Sequence, residues 1–180
     1  YQVLEKDARK VPAGSNGVLF LPYLTGGIND IPDAVGCFLN MTMDTDQATL
    51  WHAVLEAIGY DYMEITDLYR GAGVDMSRIT ITEGGSRSGI WNQTKSDMLG
   101  SEVITLKNAG GAVVTDCIVG AYALGHITDM KAALTESLEI KKLYYTNAEN
   151  HDFYAKQYAL QKKLVKQDTK EAFHTLKALH

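Results

Sequence analysis

Ile79-Thr80-Ile81-Thr82-Glu83-Gly84-Gly85-Ser86-Arg87-Ser88-Gly89-Ile90-Trp91-Asn92-Gln93 is the stretch that decides the fold class of this chain. It opens on β-branched residues, continues into two glycines and small hydroxyl residues, and then resumes apolar character at Ile90 and Trp91, as a strand, a turn and a helix would. A strand that runs into Gly-Gly and then a helix lets the backbone come close to a ligand and aims unpaired helix N–H groups at it. That arrangement suits a nucleotide, with Gly84, Gly85, Ser86, Ser88 and Gly89 as candidate contacts. Gly-Gly after a strand is also an ordinary tight turn, and an Arg such as Arg87 either holds an anion or is simply solvated.

Outward from this stretch the same rhythm repeats. Arg78 to Thr82 reads as a strand, Glu83 to Ser88 as a turn and Ile90 to Leu99 as a helix; Val103 to Leu106 is a second strand and Ala112 to Leu124 a second helix. Strands alternating with helices at this spacing predict an α/β class with a partly parallel sheet. Further helices are expected at about 129–143, capped by Thr128, and at about 151–177, where Phe153, Tyr154, Tyr158, Leu164 and Phe173 would pack back on the body.

Upstream, Val18-Leu19-Phe20-Leu21 ends at Pro22 and reads as a short buried strand, and Gly36 to Met43 as another. From Thr45 the period changes. Leu50, Trp51, Val54, Leu55, Ile58, Tyr62, Ile65 and Tyr69 fall on one face, predicting a long core helix capped by Asp44 or Thr45 and ended by Gly71 and Gly73. Glu56, Asp61, Glu64 and Asp67 read as its polar side, and His52 as a surface or half-buried histidine with its bonds satisfied.

The composition suits one globular unit: 180 residues, 46% hydrophobic and 22% charged. A formal charge of −5 argues against nucleic acid or an anionic membrane as the main partner, since such surfaces need a Lys/Arg excess. The lysines near the C-terminus, Lys162, Lys163, Lys166 and Lys170, alternate with Asp168 and Glu171 as a solvated face does. Cys37 and Cys117 have no metal-binding or redox spacing and predict buried free thiols in a reducing cytoplasm. No apolar run approaches the ~18 residues of a membrane span. The five histidines show no metal spacing, and no Ser sits in a nucleophile elbow.

Four collinear blocks then carry a family resemblance. Val18 to Gly26 resembles the LFLPYLSGER segment of FGGY carbohydrate kinases, and Gly36 to Thr42 their GxFxGLT. Trp51 to Tyr60 resembles xRAVLEGIAF, and Gly84 to Gln93, continued by Ser96-Asp97, resembles GGGARSxxWxQxxAD, the family's adenine-nucleotide segment. Order and spacing agree over residues 17–125, and the tail after 145 is similar to that of xylulokinase-type members.

The resemblance implies the C-terminal, nucleotide-side part of a ribonuclease H-like fold of the actin/hexokinase type. Residues 1–16 would be a leading segment, 17–145 the domain and 146–180 a helical tail. It implies ATP and Mg²⁺ as cofactors, and transfer of a γ-phosphoryl to a sugar or polyol, D-xylulose or a related ketose. The implied partners are the sugar substrate and an N-terminal sugar-binding domain of the same protein, and a homodimer is among the assemblies it allows. The family's catalytic Asp lies in an upstream Gly-Gly-x-Asp that this sequence does not match, so no catalytic residue is assigned and the chain alone is expected to be inactive. A non-catalytic domain that binds a nucleotide or another protein is the alternative. Three departures stand out: Glu83 replaces the first glycine of the GGG run, Gly27-Ile28-Asn29-Asp30 replaces ERTP, and Thr115-Asp116-Cys117 stands where small residues are usual.

Overall fold

Helix α2 (Gln47–Gly71) is the element around which the described residues of the computed structural model, 2–27, 31–108 and 111–179, are arranged. Its cap is Asp46, whose carboxylate accepts from the Thr49 N–H at 2.8 Å. Neither expected cap serves: the Thr45 hydroxyl instead accepts from the Thr42 N–H at 2.9 Å. The buried side of α2 is also rotated from the expected one. Thr49, His52, Ala53, Glu56, Ala57, Tyr60 and Met63 are buried, whereas of the expected apolar stripe only Leu55 is, and Ile65 and Tyr69 stand 48% and 52% exposed.

Close helix packing explains the rotation. A Cβ built on Gly59 would lie 2.2 Å from the Met98 sulfur, so the neighbouring helix approaches a side of α2 that only small residues can present. That neighbour is α3 (Gly89–Leu99), N-capped by Ser88 and closed by Gly100 in the left-handed region. Helix α1 (Gln2–Ala8), in what was expected only as a leading segment, packs against α2 and buries Ala8 with Leu55 and Ile90.

Strands β1 (Leu19–Leu21) and β2 (Cys37–Leu39) form an antiparallel pair with Phe20 opposite Phe38. The second sheet has the order β3-β4-β5, from β3 (Arg78–Ile81), β4 (Glu102–Leu106) and β5 (Ile140–Tyr144). β3 and β4 are parallel across the α3 crossover, as the alternating pattern predicts, and β5 is antiparallel to β4. β5 corrects the expected helix at 129–143. The helix there, α5 (Met130–Ser137), is capped by Asp129 and not Thr128, and it stops before the strand. Almost every residue of β4 is buried, so its second edge needs a backbone partner, and β5 supplies one with Lys141 and Lys142 exposed.

After β4, α4 (Gly111–Ala123) buries no described residue and packs against α5. The tail is two helices, α6 (Ala148–Lys163) and α7 (Lys170–Ala178), joined by a π turn at Leu164–Asp168, where one continuous helix was expected. α6 closes a core of Leu19, Tyr60, Met63, Met98, Leu99, Tyr154 and Tyr158; the tail's Val165 and Phe173 close another with Leu21, Ile31 and Ala34. Cys37 is half-buried and Cys117 exposed, so the second thiol is not the buried one expected. Ile28, Asn29 and Asp30, most of the replaced ERTP loop, lie outside the described residues.

Candidate functional site

At the C-terminal end of β3 the chain turns through a 3-10 segment, Gly84–Arg87, directly into α3. Glu83 enters this turn at φ 59°, ψ −157°, a region that side-chain-bearing residues rarely occupy. Its side chain is exposed and makes no capping bond. Its carbonyl accepts from the Ser86 N–H at 3.1 Å and from the Ser86 hydroxyl at 2.7 Å.

The five candidate contacts all fall within residues 84–89 but do different things. Gly84 is open, with no atom within 4 Å of a built Cβ, while a Cβ on Gly85 would lie 3.1 Å from the Trp91 ring. Their N–H groups lead the turn and so have no acceptor within it. The Ser86 side chain is buried and turned inward, and the Ser88 hydroxyl accepts from the Trp91 N–H at 3.2 Å to cap α3. Asn92, fully buried, donates to the Ser86 carbonyl at 2.8 Å and ties the turn to α3. Gly89 faces away from Gly84, toward Arg9 and Tyr144. Arg87 is exposed.

The loops that follow the two parallel strands converge. A Cβ on Gly111, the first residue of α4, would sit 3.5 Å from the Thr82 methyl at the end of β3. The Gly84-Gly85 turn and the start of α4 thus share one edge of the sheet, at the carboxyl ends of parallel strands where α/β folds bind ligands. Thr115, Asp116 and Cys117 lie exposed on α4, with the Thr115 hydroxyl donating to the Gly111 carbonyl at 2.7 Å. The open backbone at Gly84, with the start of α4 beside Thr82, fits a nucleotide phosphate chain. Among the described residues no three His, Cys, Asp or Glu side chains cluster to hold a metal ion, and no helix is long and apolar enough to cross a membrane.

A cleft of about 340 Å³ opens on the opposite side of α3, with Arg9, Gly89, Gln93 and Lys142 among its walls. Behind it lies a buried polar network that sequence reasoning missed. The Glu56 carboxylate, 1% exposed, accepts from the Gly14 N–H at 2.7 Å, the Ser15 hydroxyl at 2.6 Å and the Tyr154 hydroxyl at 2.6 Å. Glu56 is therefore not part of the polar side of α2. His52 is buried as well, its Nδ1 3.0 Å from the Ser15 hydroxyl. Burial holds His52 below its ordinary range, against the pull of Glu56, so the pair is a contact and not an ion pair. The network pins the turn at Gly14–Gly17, where Ser15 and Asn16 both have positive φ.

Lys95 was also missed. It is 2% exposed, with Nζ 3.5 Å from the centroid of the Trp91 ring and 5.8 Å from that of Tyr62. The one available signal was its position a helical turn after Trp91, which puts an ammonium over an indole. Tyr62, expected in the core, is 37% exposed beside it.

Comparisons with known proteins give the family and the fold. Residues 1–124 match the model of the FGGY family of carbohydrate kinases, C-terminal domain. The chain is 31% identical over 156 residues to a xylulose kinase of Staphylococcus epidermidis, covering 86% of this chain and 32% of that protein. It is 35% identical over 138 residues to a gluconokinase of Bacillus subtilis, covering 73% of this chain and 26% of that one. The structure superimposes on gluconate kinase from Lactobacillus acidophilus with a TM-score of 0.77 at 22% identity, over 97% of this chain and 36% of that one. The chain spans between about a quarter and about a third of the length of these relatives. The fold is that of the ribonuclease H-like, actin/hexokinase-type kinases, as the motifs implied.

Proposed function

The chain belongs to the FGGY family of carbohydrate kinases, and we propose that it forms the nucleotide-side part of an enzyme that phosphorylates a sugar or polyol hydroxyl from Mg-ATP. The substrate would be D-xylulose or a related ketose, or a sugar acid such as gluconate, since relatives carrying both names match. The observation that carries the reading is the convergence of the Gly84-Gly85 turn and the α4 start at the ends of β3 and β4.

In this reading the N–H groups of Gly84 and Gly85 and the N-terminus of α4 hold the phosphate chain. Gly84, without a side chain, permits close approach, while Ser86, Ser88 and Asn92 keep the turn in shape. ATP supplies the γ-phosphoryl and Mg²⁺ offsets its charge; the protein contributes positioning, which dominates in phosphoryl transfer. The catalytic base and the sugar-binding wall would come from the sugar-binding domain implied upstream, so the 180-residue chain by itself would not phosphorylate sugars.

Titration of the labelled chain with a non-hydrolysable ATP analogue and Mg²⁺ tests this. The reading expects amide shifts at residues 84–89 and at the start of α4, with no ketose or gluconate phosphorylation by the chain alone. Shifts confined to α6 and α7, or turnover by the isolated chain, would overturn it.

A further inference from the structure

A groove of about 270 Å³ lies where the last turns of α2, the end of α3 and the first turns of α6 meet. It shares no wall residue with the cleft behind α3 and none with the Gly84–Arg87 turn. Its floor is apolar, with Met63, Met98 and Leu99 buried there and the Tyr158 ring as a further wall. Two thioether side chains make a floor that adapts to apolar groups of different shape.

Three polar side chains complete the walls. Arg70 is held through one nitrogen: its Nη2 donates to the Leu99 carbonyl at 2.6 Å and to the Ser101 hydroxyl at 3.2 Å. The guanidinium plane is thereby fixed, while Nε and Nη1 keep their N–H groups for another acceptor. His151 Nδ1 lies 2.8 Å from the Asp97 carbonyl oxygen. A carbonyl only accepts, so Nδ1 carries the proton and the neutral ring leaves Nε2 as an acceptor. Gly100 makes room for that ring, since a Cβ there would lie 2.9 Å from Nε2. Asp67, one helical turn before Arg70, is exposed. Among the described residues neither Asp67 nor Arg70 has an ion-pair partner, because Arg70 is turned to the end of α3. Asp67, Glu64 and Asp61 add to burial in pushing the Tyr158 hydroxyl up to about 12, so the α2 side of the groove carries a negative field.

We propose that this groove binds a free α-amino acid with an apolar side chain. Its ammonium sits between Asp67 and His151 Nε2, its carboxylate on the free N–H groups of Arg70, and its side chain over Met63 and Met98. The pattern of groups selects that ligand. A neutral sugar leaves two opposite charges unmatched, a phosphate ester meets the repulsion of Asp67, and an apolar acid leaves two acceptors unused. A zwitterion with an apolar side chain matches all of them. The volume lies just under the ~300–1,000 Å³ of drug-sized pockets, which suits so small a molecule. The groove is at the far end of α3 from the glycine turn, ~16 Å away along an 11-residue helix. It is therefore a site for an effector, and it does not depend on the nucleotide reading.

Amide shifts of the labelled chain on titration with L-leucine test the proposal. Three probes each lack one feature: 4-methylpentanoate the ammonium, L-leucinamide the carboxylate, as at a peptide N-terminus, and glycine the side chain. The expected result is saturable shifts at residues 67–70, 98–101 and 151–155, with L-leucine bound at least tenfold more tightly than any of the three. Asp67→Asn should abolish the preference over 4-methylpentanoate and keep that over L-leucinamide, and Arg70→Met should do the reverse. Both are checked for folding by circular dichroism. Asp67 is exposed and makes no bond that folding needs, so Asp67→Asn decides the matter by itself if Arg70→Met unfolds. Absence of saturable shifts, shifts confined to residues 84–89, a probe that binds as tightly as L-leucine, or preferences unchanged by Asp67→Asn would overturn it.

Discussion

Replacing Glu83 by Gly should stabilise this chain, although it removes a side chain and adds backbone freedom. The reason is local. Glu83 holds φ 59°, ψ −157°, a conformation open to Gly and strained by ~1–3 kcal/mol for a residue with a Cβ. Against this, Gly raises the entropy of the unfolded chain by ~0.4–1 kcal/mol. Nothing else is lost, since the Glu83 side chain is exposed and uncapped, and its carbonyl, which accepts from the Ser86 N–H and hydroxyl, remains. The net expectation is a gain of ~1 kcal/mol, seen as a rise in Tm of ~2–4 °C for a chain of this size. Urea and thermal unfolding of the parent, Glu83→Gly and Glu83→Ala measure it. Ala keeps the Cβ and therefore the strain, so it should stay within ~0.5 kcal/mol of the parent. If Gly gives no gain, or Ala gains as much as Gly, strain is not the cause and the argument fails. Affinity for an ATP analogue separates the second effect: both variants remove the charge beside the proposed phosphate path, so both should bind more tightly, by an amount that added salt reduces.

Glu56→Gln should cost ~3 kcal/mol, because an amide nitrogen would meet the donors of Gly14, Ser15 and Tyr154 in a site closed to water; faster amide exchange at residues 14–17 with no change in α7 would mark the network as its origin. Lys95→Met should stabilise the chain at neutral pH by up to ~3 kcal/mol, the worth of a fall from 10.5 to about 8. With the folded value below the unfolded one, the unfolded chain holds the proton longer, so parent stability rises relative to Lys95→Met between about 8 and 10.5. Plotting the difference between the two proteins cancels the buried tyrosines, including Tyr158, which burial pushes up to about 12; a difference that is flat across this window refutes it. Gly59→Ala should destabilise by ~1–2 kcal/mol in urea, since its Cβ would meet the fully buried Met98 and the overlap outweighs the ~1 kcal/mol that Ala brings to a helix. Recovery on adding Met98→Val would confirm the contact.

The sequence by itself was enough for the strand-turn-helix order of residues 78–123, which depends on neighbours along the chain. β-branched residues 79–82 before Gly84-Gly85 determine a strand that ends in a turn, the apolar character that resumes at Ile90 and Trp91 determines the helix after it, and the repeat of that pattern at 103–124 determines a parallel pair. The five candidate contacts fell in the turn between strand and helix because glycine, small hydroxyls and a helix start mark such a turn locally. What only the tertiary structure decided are matters of which face meets what. The apolar stripe of α2 looked like core, yet α3 docks where Gly59 allows approach to Met98, which turns the stripe toward β3's open edge. Glu56 looked like solvent-facing charge, yet partners 42 residues upstream and 98 downstream close around it. Ile140 to Leu143 looked like the end of a helix, yet buried β4 lacked a partner on its second edge and drew that segment into a strand. Periodicity reports that a face is apolar; it does not report which surface arrives to cover it, because that contact joins residues far apart in the chain.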